Sequence, residues 1–198
     1  MKNIFLIGDS VRFGTKGTNP TPGYAVLVKE KLEGIANVYA PAENSRFAQY
    51  TLREICNWVN AVDAESIDII HWNNGLWDVL RQHGDEPLTP IDMYLSLLER
   101  IYKMLRHLFP NAKVIFALTT AVNDENTSPC CRYNRDIQRY NEAAKALMER
   151  LGVPVNDLYS ISCTFDDSCY SDEVHPTRKG AERLADAVVE AVKKEAIL

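Results

Sequence analysis

Two short segments at opposite ends of the chain carry residue types that could act together as a nucleophile and its base. Gly8-Asp9-Ser10 follows the apolar run Ile4-Phe5-Leu6-Ile7, so a strand over that run would present Ser10 on the turn at its end. Asp172-Glu173-Val174-His175-Pro176 lies far along the chain. Its Asp and His are close enough in a loop for the carboxylate to hold one imidazole nitrogen while the other faces outward. A serine hydroxyl is a poor nucleophile until a base can take its proton, and such a histidine is that base. Each segment alone also fits a structural role: Asp9 or Ser10 could cap the next turn, and His175 could pack at a helix start with Pro176 as the first helical residue.

The elements that would position these residues follow from hydrophobic patterning. Short apolar runs at Ile4 to Ile7, Asn37 to Ala40, Ile67 to Trp72, Lys113 to Leu118 and Val153 to Val155 alternate with longer amphipathic stretches, the pattern of a parallel sheet covered by helices on both faces. Tyr133, Ile137, Tyr140, Ala144, Leu147 and Leu151 recur at helical steps, and Gly152 stands where that helix should stop. Tyr94, Leu98, Ile101, Leu105 and Leu108 form a second stripe, and Ala181, Leu184, Ala185, Val188 and Val192 a third. Five strands joined by right-handed crossovers predict a doubly wound three-layer α/β/α sandwich with strand order 2-1-3-4-5, in which function gathers at the carboxyl ends of the strands. The stretch Gly14 to Gly23 follows the first strand and reads as an active-site loop.

Composition narrows the classes. A chain of 198 residues with 46% hydrophobic residues can bury one core, so residues 1–198 are expected to form a single domain. A net charge of -5 without a basic cluster argues against nucleic acid as a partner. No apolar stretch approaches the ~20 residues of a spanning helix, and the first apolar run is too short for a signal peptide, so a cytoplasmic protein without membrane partners is expected. Five cysteines, two of them adjacent at Cys130 and Cys131, fit a reduced protein and no zinc knuckle. No metal and no cofactor are expected. Gly14-Thr15-Lys16-Gly17-Thr18 lacks the spacing of a phosphate loop.

Taken together, Gly8-Asp9-Ser10 and Asp172-Glu173-Val174-His175 resemble the first and last sequence blocks of the SGNH hydrolases, or GDSL-type esterases. The resemblance implies a flavodoxin-like three-layer fold, a Ser10, Asp172, His175 triad and metal-free hydrolysis of acyl esters. Two intermediate blocks depart from the pattern. The third block, Gly-x-Asn-Asp in the family, corresponds to Gly75-Leu76-Trp77-Asp78, with Trp77 where an oxyanion-hole Asn is expected; Asn73 and Asn74 are replacement donors, although Asn-Asn-Gly is also a turn sequence. The second block has no Gly, and Asn44, Ser45 and Arg46 form the expected site segment, with a backbone N–H of Ser45 or Arg46 as donor.

The expected reaction is attack of Ser10 on the carbonyl, with His175 taking the proton and Asp172 fixing its tautomer. Arg12 and Arg46 are expected to meet substrate oxygens, and Trp72, Trp77 and Tyr50 to offer stacking surface. A small-molecule or saccharide ester, such as an O-acetylated carbohydrate, is the expected substrate. A lysophospholipase or thioesterase, a carbohydrate-binding relative without turnover, and a metal-dependent phosphoesterase using Asp9, Asp172 and His175 are the alternatives. His71, Asp78 and Asp124 are expected to be structural.

Overall fold

The computed structural model describes residues 1–15, 20–123 and 129–196. Along the chain run β1 (Lys2–Ile7), the single turn α1 (Ser10–Phe13), α2 (Tyr24–Lys31), β2 (Ala36–Tyr39), α3 (Ala48–Val59) and β3 (Ile69–Asn73). Then come β4 (Arg81–Gln82), α4 (Ile91–Leu108), β5 (Lys113–Ala117), β6 (Cys130–Cys131), α5 (Asn134–Leu151), β7 (Val155–Asn156), α6 (Leu158–Ser162) and α7 (Arg178–Ala196). Lys16, Gly17 and Thr18 of the phosphate-loop comparison, and Asp124, lie outside the described residues.

The main sheet has the order β2-β1-β3-β5-β7 with every pairing parallel, which is the expected 2-1-3-4-5 arrangement once the two short strands are set aside. Ile4, Phe5, Leu6 and Ile7 of the inner strand β1 are all buried, because helices cover both faces and leave no side of the strand to solvent. α2 packs with α7, and α3 packs with α4. In α4, Tyr94, Leu98, Ile101 and Leu105 are buried while Glu99 and Lys103 pair on the outer face, so its period of 3.6 places one stripe on the sheet. Each such leucine or isoleucine contributes on the order of 2 kcal/mol by leaving water. α5 ends at Gly152, whose φ of 68° is the left-handed cap predicted there.

Two features differ from expectation. β4 and β6 form a separate antiparallel pair, Arg81 opposite Cys131 and Gln82 opposite Cys130, too short to leave an alternation in the sequence. α7 starts at Arg178 rather than Pro176; Pro176 instead bridges Tyr170, and Ser171 N–H donates to His175 O at 2.8 Å. The loop bearing Asp172 and His175 is therefore pinned before the helix begins. Among the described residues, no helix is long and apolar enough to cross a membrane.

Candidate active site

β1 delivers Gly8, Asp9 and Ser10 to the carboxyl edge of the sheet. The Asp9 carboxylate accepts from Val11 N–H at 2.9 Å, capping α1 and fixing the turn that holds Ser10. The Ser10 N–H opens that turn, where no earlier carbonyl of the helix can accept it. Gly8 has to lack a side chain, since a Cβ there would lie 2.8 Å from Arg12 Cβ. Burial pushes the Asp9 carboxyl above its ordinary range, against the Val11 N–H bond and the charges of His175, Arg132 and Arg12.

The two ends of the chain meet at this turn. Ser10 Oγ and His175 Nε2 are 2.9 Å apart, and His175 Nδ1 and Asp172 Oδ2 are 2.7 Å apart. Asp172 Oδ1 accepts from Val174 N–H at 2.8 Å and His175 N–H at 2.7 Å, so the carboxylate is held by its own loop. Partial burial raises the Asp172 carboxyl, but the His175 and Val174 N–H bonds and the facing imidazole outweigh it and leave it below the usual range. Asp172 is thus an anion that can orient the imidazole and balance its charge once protonated.

The strand register puts Asn73 beside this turn. Ile7 is opposite Trp72, so Asn73 falls next to Gly8, and its Oδ1 accepts from Asp9 N–H at 3.4 Å. That bond turns the amide nitrogen away from Asp9, and Asn73 Nδ2 makes no hydrogen bond among the described residues. Asn74 is different. Its Oδ1 accepts from Trp72 Nε1 at 2.7 Å, and its Nδ2 donates to Thr51 Oγ1 at 2.9 Å and Arg46 O at 3.1 Å. Its carbonyl accepts from Tyr94 Oη and Thr119 Oγ1. The expectation of two interchangeable asparagines therefore narrows to Asn73, because the Asn74 amide is already spent on scaffolding. The register of β3 brings His71-Trp72-Asn73-Asn74, four residues ahead of Gly75-Leu76-Trp77-Asp78, to the strand end beside the serine turn.

The other expected site residues separate by their bonds. Gly75, at a φ of 142°, is a turn residue against Thr119 Oγ1, which would lie 2.1 Å from an added Cβ. Trp77 is half-buried in the same turn. Ser45 is fully buried, its N–H donating to Gly8 O at 3.0 Å and its Oγ accepting from Gly8 N–H at 3.1 Å; it braces the serine turn, and its backbone N–H is not available to substrate. Arg46 has a positive φ of 50°, in the left-handed region that favours glycine, and its N–H donates to Asn44 Oδ1 at 2.8 Å. The exposed Arg46 guanidinium lies over the Tyr50 ring at 4.5 Å.

Two expectations are corrected. Arg12 does not face substrate: it is 2% exposed and donates to the carbonyls of Gly8, Pro41 and Glu43, tying the ends of β1 and β2 together. Trp72 offers no stacking face, being fully buried edge-on against Phe116. His71 and Asp78 are structural, as expected. Burial holds His71 neutral, lowering its pKa to about 3, with Nε2 against the Asn156 amide, while Asp78 accepts from Ala48 N–H at the start of α3 and is pushed by burial to about 7. Among the described residues, no group of three or more His, Cys, Asp or Glu side chains converges as a metal site.

Arg132 is a site residue that sequence reasoning missed. It follows β6, donates from Nε to Leu76 O at 2.5 Å and places its charge within range of Asp9, Glu173 and Asp172. A lone arginine in an aperiodic segment gives no signal of this.

Comparisons with known proteins agree with the geometry. Residues 6–183 match the GDSL-like Lipase/Acylhydrolase family. A GDSL esterase/lipase, CPRD49, from Arabidopsis thaliana is 27% identical over 122 residues, covering 56% of this chain and 48% of that protein, so the match spans about half the length of the curated relative. The lipase/acylhydrolase from Enterococcus faecalis superposes with a TM-score of 0.78 at 19% identity, covering 98% of this chain and 96% of that one. The acetyl xylan esterase AlAXEase gives 0.74 at 18% identity, covering 96% and 99%. A putative arylesterase from Agrobacterium tumefaciens gives 0.76 at 15% identity, covering 98% and 99%. With the family pattern spanning both the serine turn and the histidine loop, the chain belongs to the GDSL-like lipase/acylhydrolase family.

Proposed function

We propose that residues 1–198 act as one hydrolase domain that cleaves a short-chain acyl ester, an O-acetyl group on a carbohydrate, through an acyl-enzyme on Ser10. The observation that carries this reading is the continuous chain of hydrogen-bond distances from Ser10 Oγ to His175 Nε2 and from His175 Nδ1 to Asp172 Oδ2. In the first step Ser10 Oγ bonds to the carbonyl carbon while His175 takes its proton. The tetrahedral oxyanion is received by the Ser10 N–H and Asn73 Nδ2, at roughly 3 kcal/mol per donor. The C–O bond then breaks and His175 returns the proton to the leaving alcohol. Water, deprotonated by the same histidine, opens the acyl-serine and releases the acid.

Support for a carbohydrate ester is of two kinds. A structural relative bears the name acetyl xylan esterase, and Tyr50 and Trp77 are partly exposed aromatic side chains, of the type that stacks on sugar rings. The test is acetate release from acetylated xylo-oligosaccharides and from 4-nitrophenyl acetate. Turnover of both, lost by several orders of magnitude in Ser10→Ala, is the expected result; turnover of the nitrophenyl ester alone would leave the esterase and remove the carbohydrate.

A further inference from the structure

β2 is a bare edge strand. Among the described residues it pairs on one side only, with β1, and Ala36-Asn37-Val38-Tyr39 carries neither charge nor proline, the devices that keep an edge from pairing with another chain. The opposite edge is blunted: β7 has two residues and Pro154 directly before it. Between α2 and β2 runs an open groove of about 480 Å³ lined by Met1, Val26, Lys29, Glu33, Val38 and Tyr39. Val26 is 50% and Tyr39 40% exposed, and Met1 and Ile35 leave further apolar surface on the same edge. The neighbouring charges are satisfied, Glu30 by Arg178 and Lys31 by Asp186. Lys29 and Glu33, of opposite sign, make no ion pair among the described residues.

We propose that this edge is the contact surface of a two-fold dimer, in which the β2 strands of two copies of the chain pair antiparallel and continue the sheet across the axis. An axis perpendicular to the sheet keeps each face on its own side. The α2 helices of the two copies then lie side by side in opposite directions, Val26 is covered, and Lys29 of each copy is set toward Glu33 of the other. One surface supplies both signs, so the pairing is satisfied twice. A lone extended peptide would gain only the backbone bonds of a four-residue strand, whereas a second copy brings strand, helix and complementary charge together. Each triad is complete within one chain, and the carboxyl ends of the paired strands point away from each other. Both active sites therefore stay open in the dimer.

The experiment is sedimentation velocity on the full chain at low salt up to about 100 µM, where wild type should sediment as a dimer. Val26→Lys and Tyr39→Lys place charges on the edge and should each weaken the dimer by roughly thirtyfold or more, with circular dichroism unchanged because both side chains are exposed. Lys29→Glu and Glu33→Lys should each weaken it by roughly tenfold, and an equimolar mixture of those two variants should form a mixed dimer tighter than either alone. A wild type that stays monomeric throughout would give the edge to a different protein and overturn the inference. A dimer indifferent to Val26→Lys and Tyr39→Lys would do the same by assigning association to another face. Charge-reversed chains that associate no better mixed than separate would refute the antiparallel arrangement.

Discussion

Asn73 and Asn74 are adjacent and chemically identical, yet the structure separates their roles, and alanine at each position should fail in a different assay. Asn73 Oδ1 makes one long bond of 3.4 Å and its Nδ2 has no acceptor among the described residues, so its removal leaves little unsatisfied. If that amide receives charge that exists only in the transition state, Asn73→Ala should lower kcat by about a hundredfold or more, near 3 kcal/mol, with KM and thermal midpoint little changed. Asn74 is fully buried, and its side chain makes three bonds of 2.7 to 3.1 Å to Trp72 Nε1, Thr51 Oγ1 and Arg46 O. Asn74→Ala strands the buried Trp72 Nε1 and Thr51 Oγ1 and the part-buried Arg46 O, at roughly 1 kcal/mol or more each, a loss of about 3 kcal/mol in unfolding free energy. Steady-state kinetics on 4-nitrophenyl acetate and urea unfolding of both variants supply the two readouts. Full kcat in Asn73→Ala, with the turnover loss found in Trp77→Phe instead, would show that the indole is the oxyanion donor and that the register assigned to β3 is wrong.

Asp172→Asn should lower kcat/KM about a thousandfold or more without unfolding the protein, because the neutral amide no longer fixes the His175 tautomer; activity equal to wild type would place the orienting group elsewhere. For Asp78, burial raises the folded pKa to about 7 from an ordinary 3.8. A raised pKa means that the stability tied to the protonated form is complete below the ordinary value and is lost as pH rises through about 7. Wild type should therefore lose roughly 2 kcal/mol relative to Asp78→Asn between pH 5 and pH 7, read by urea unfolding, and parallel curves would refute the raised pKa. Gly75→Ala should cost at least about 2 kcal/mol in unfolding free energy, since the alanine would be held at a φ of 142° with its Cβ 2.1 Å from Thr119 Oγ1; a neutral effect would show that this turn relaxes freely.

Much of the architecture was legible because the strands are apolar runs and the helices carry one stripe each, so the sheet order followed from patterning, while the meeting of Ser10 with His175 was implied by the family resemblance of the two end segments. What escaped was decided by burial and register. Arg12 reads as a surface cation, yet three backbone carbonyls at the ends of β1 and β2 absorb its donors in the interior. Trp72 and Trp77 are the same residue type, but the first lies on the inner strand β3, buried on both faces, and the second in the turn that follows it, where it is half-buried. Gly75-Leu76-Trp77-Asp78 matches the third block by its glycine and aspartate, whereas the pairing of Ile7 with Trp72 brings Asn73 beside the serine turn. Arg132 depended on a two-residue strand pair that no periodicity announces.

In the proposed reaction Ser10 forms a covalent acyl intermediate. Rapid acid quenching of the protein with excess 4-nitrophenyl acetate, followed by peptide mass spectrometry, tests it directly. A burst of nitrophenol and an acetyl mass on the peptide containing Ser10 are expected, absent in Ser10→Ala and accumulating in any variant that slows deacylation. Ester hydrolysis that persists in Ser10→Ala with no acetyl mass on that peptide would contradict it.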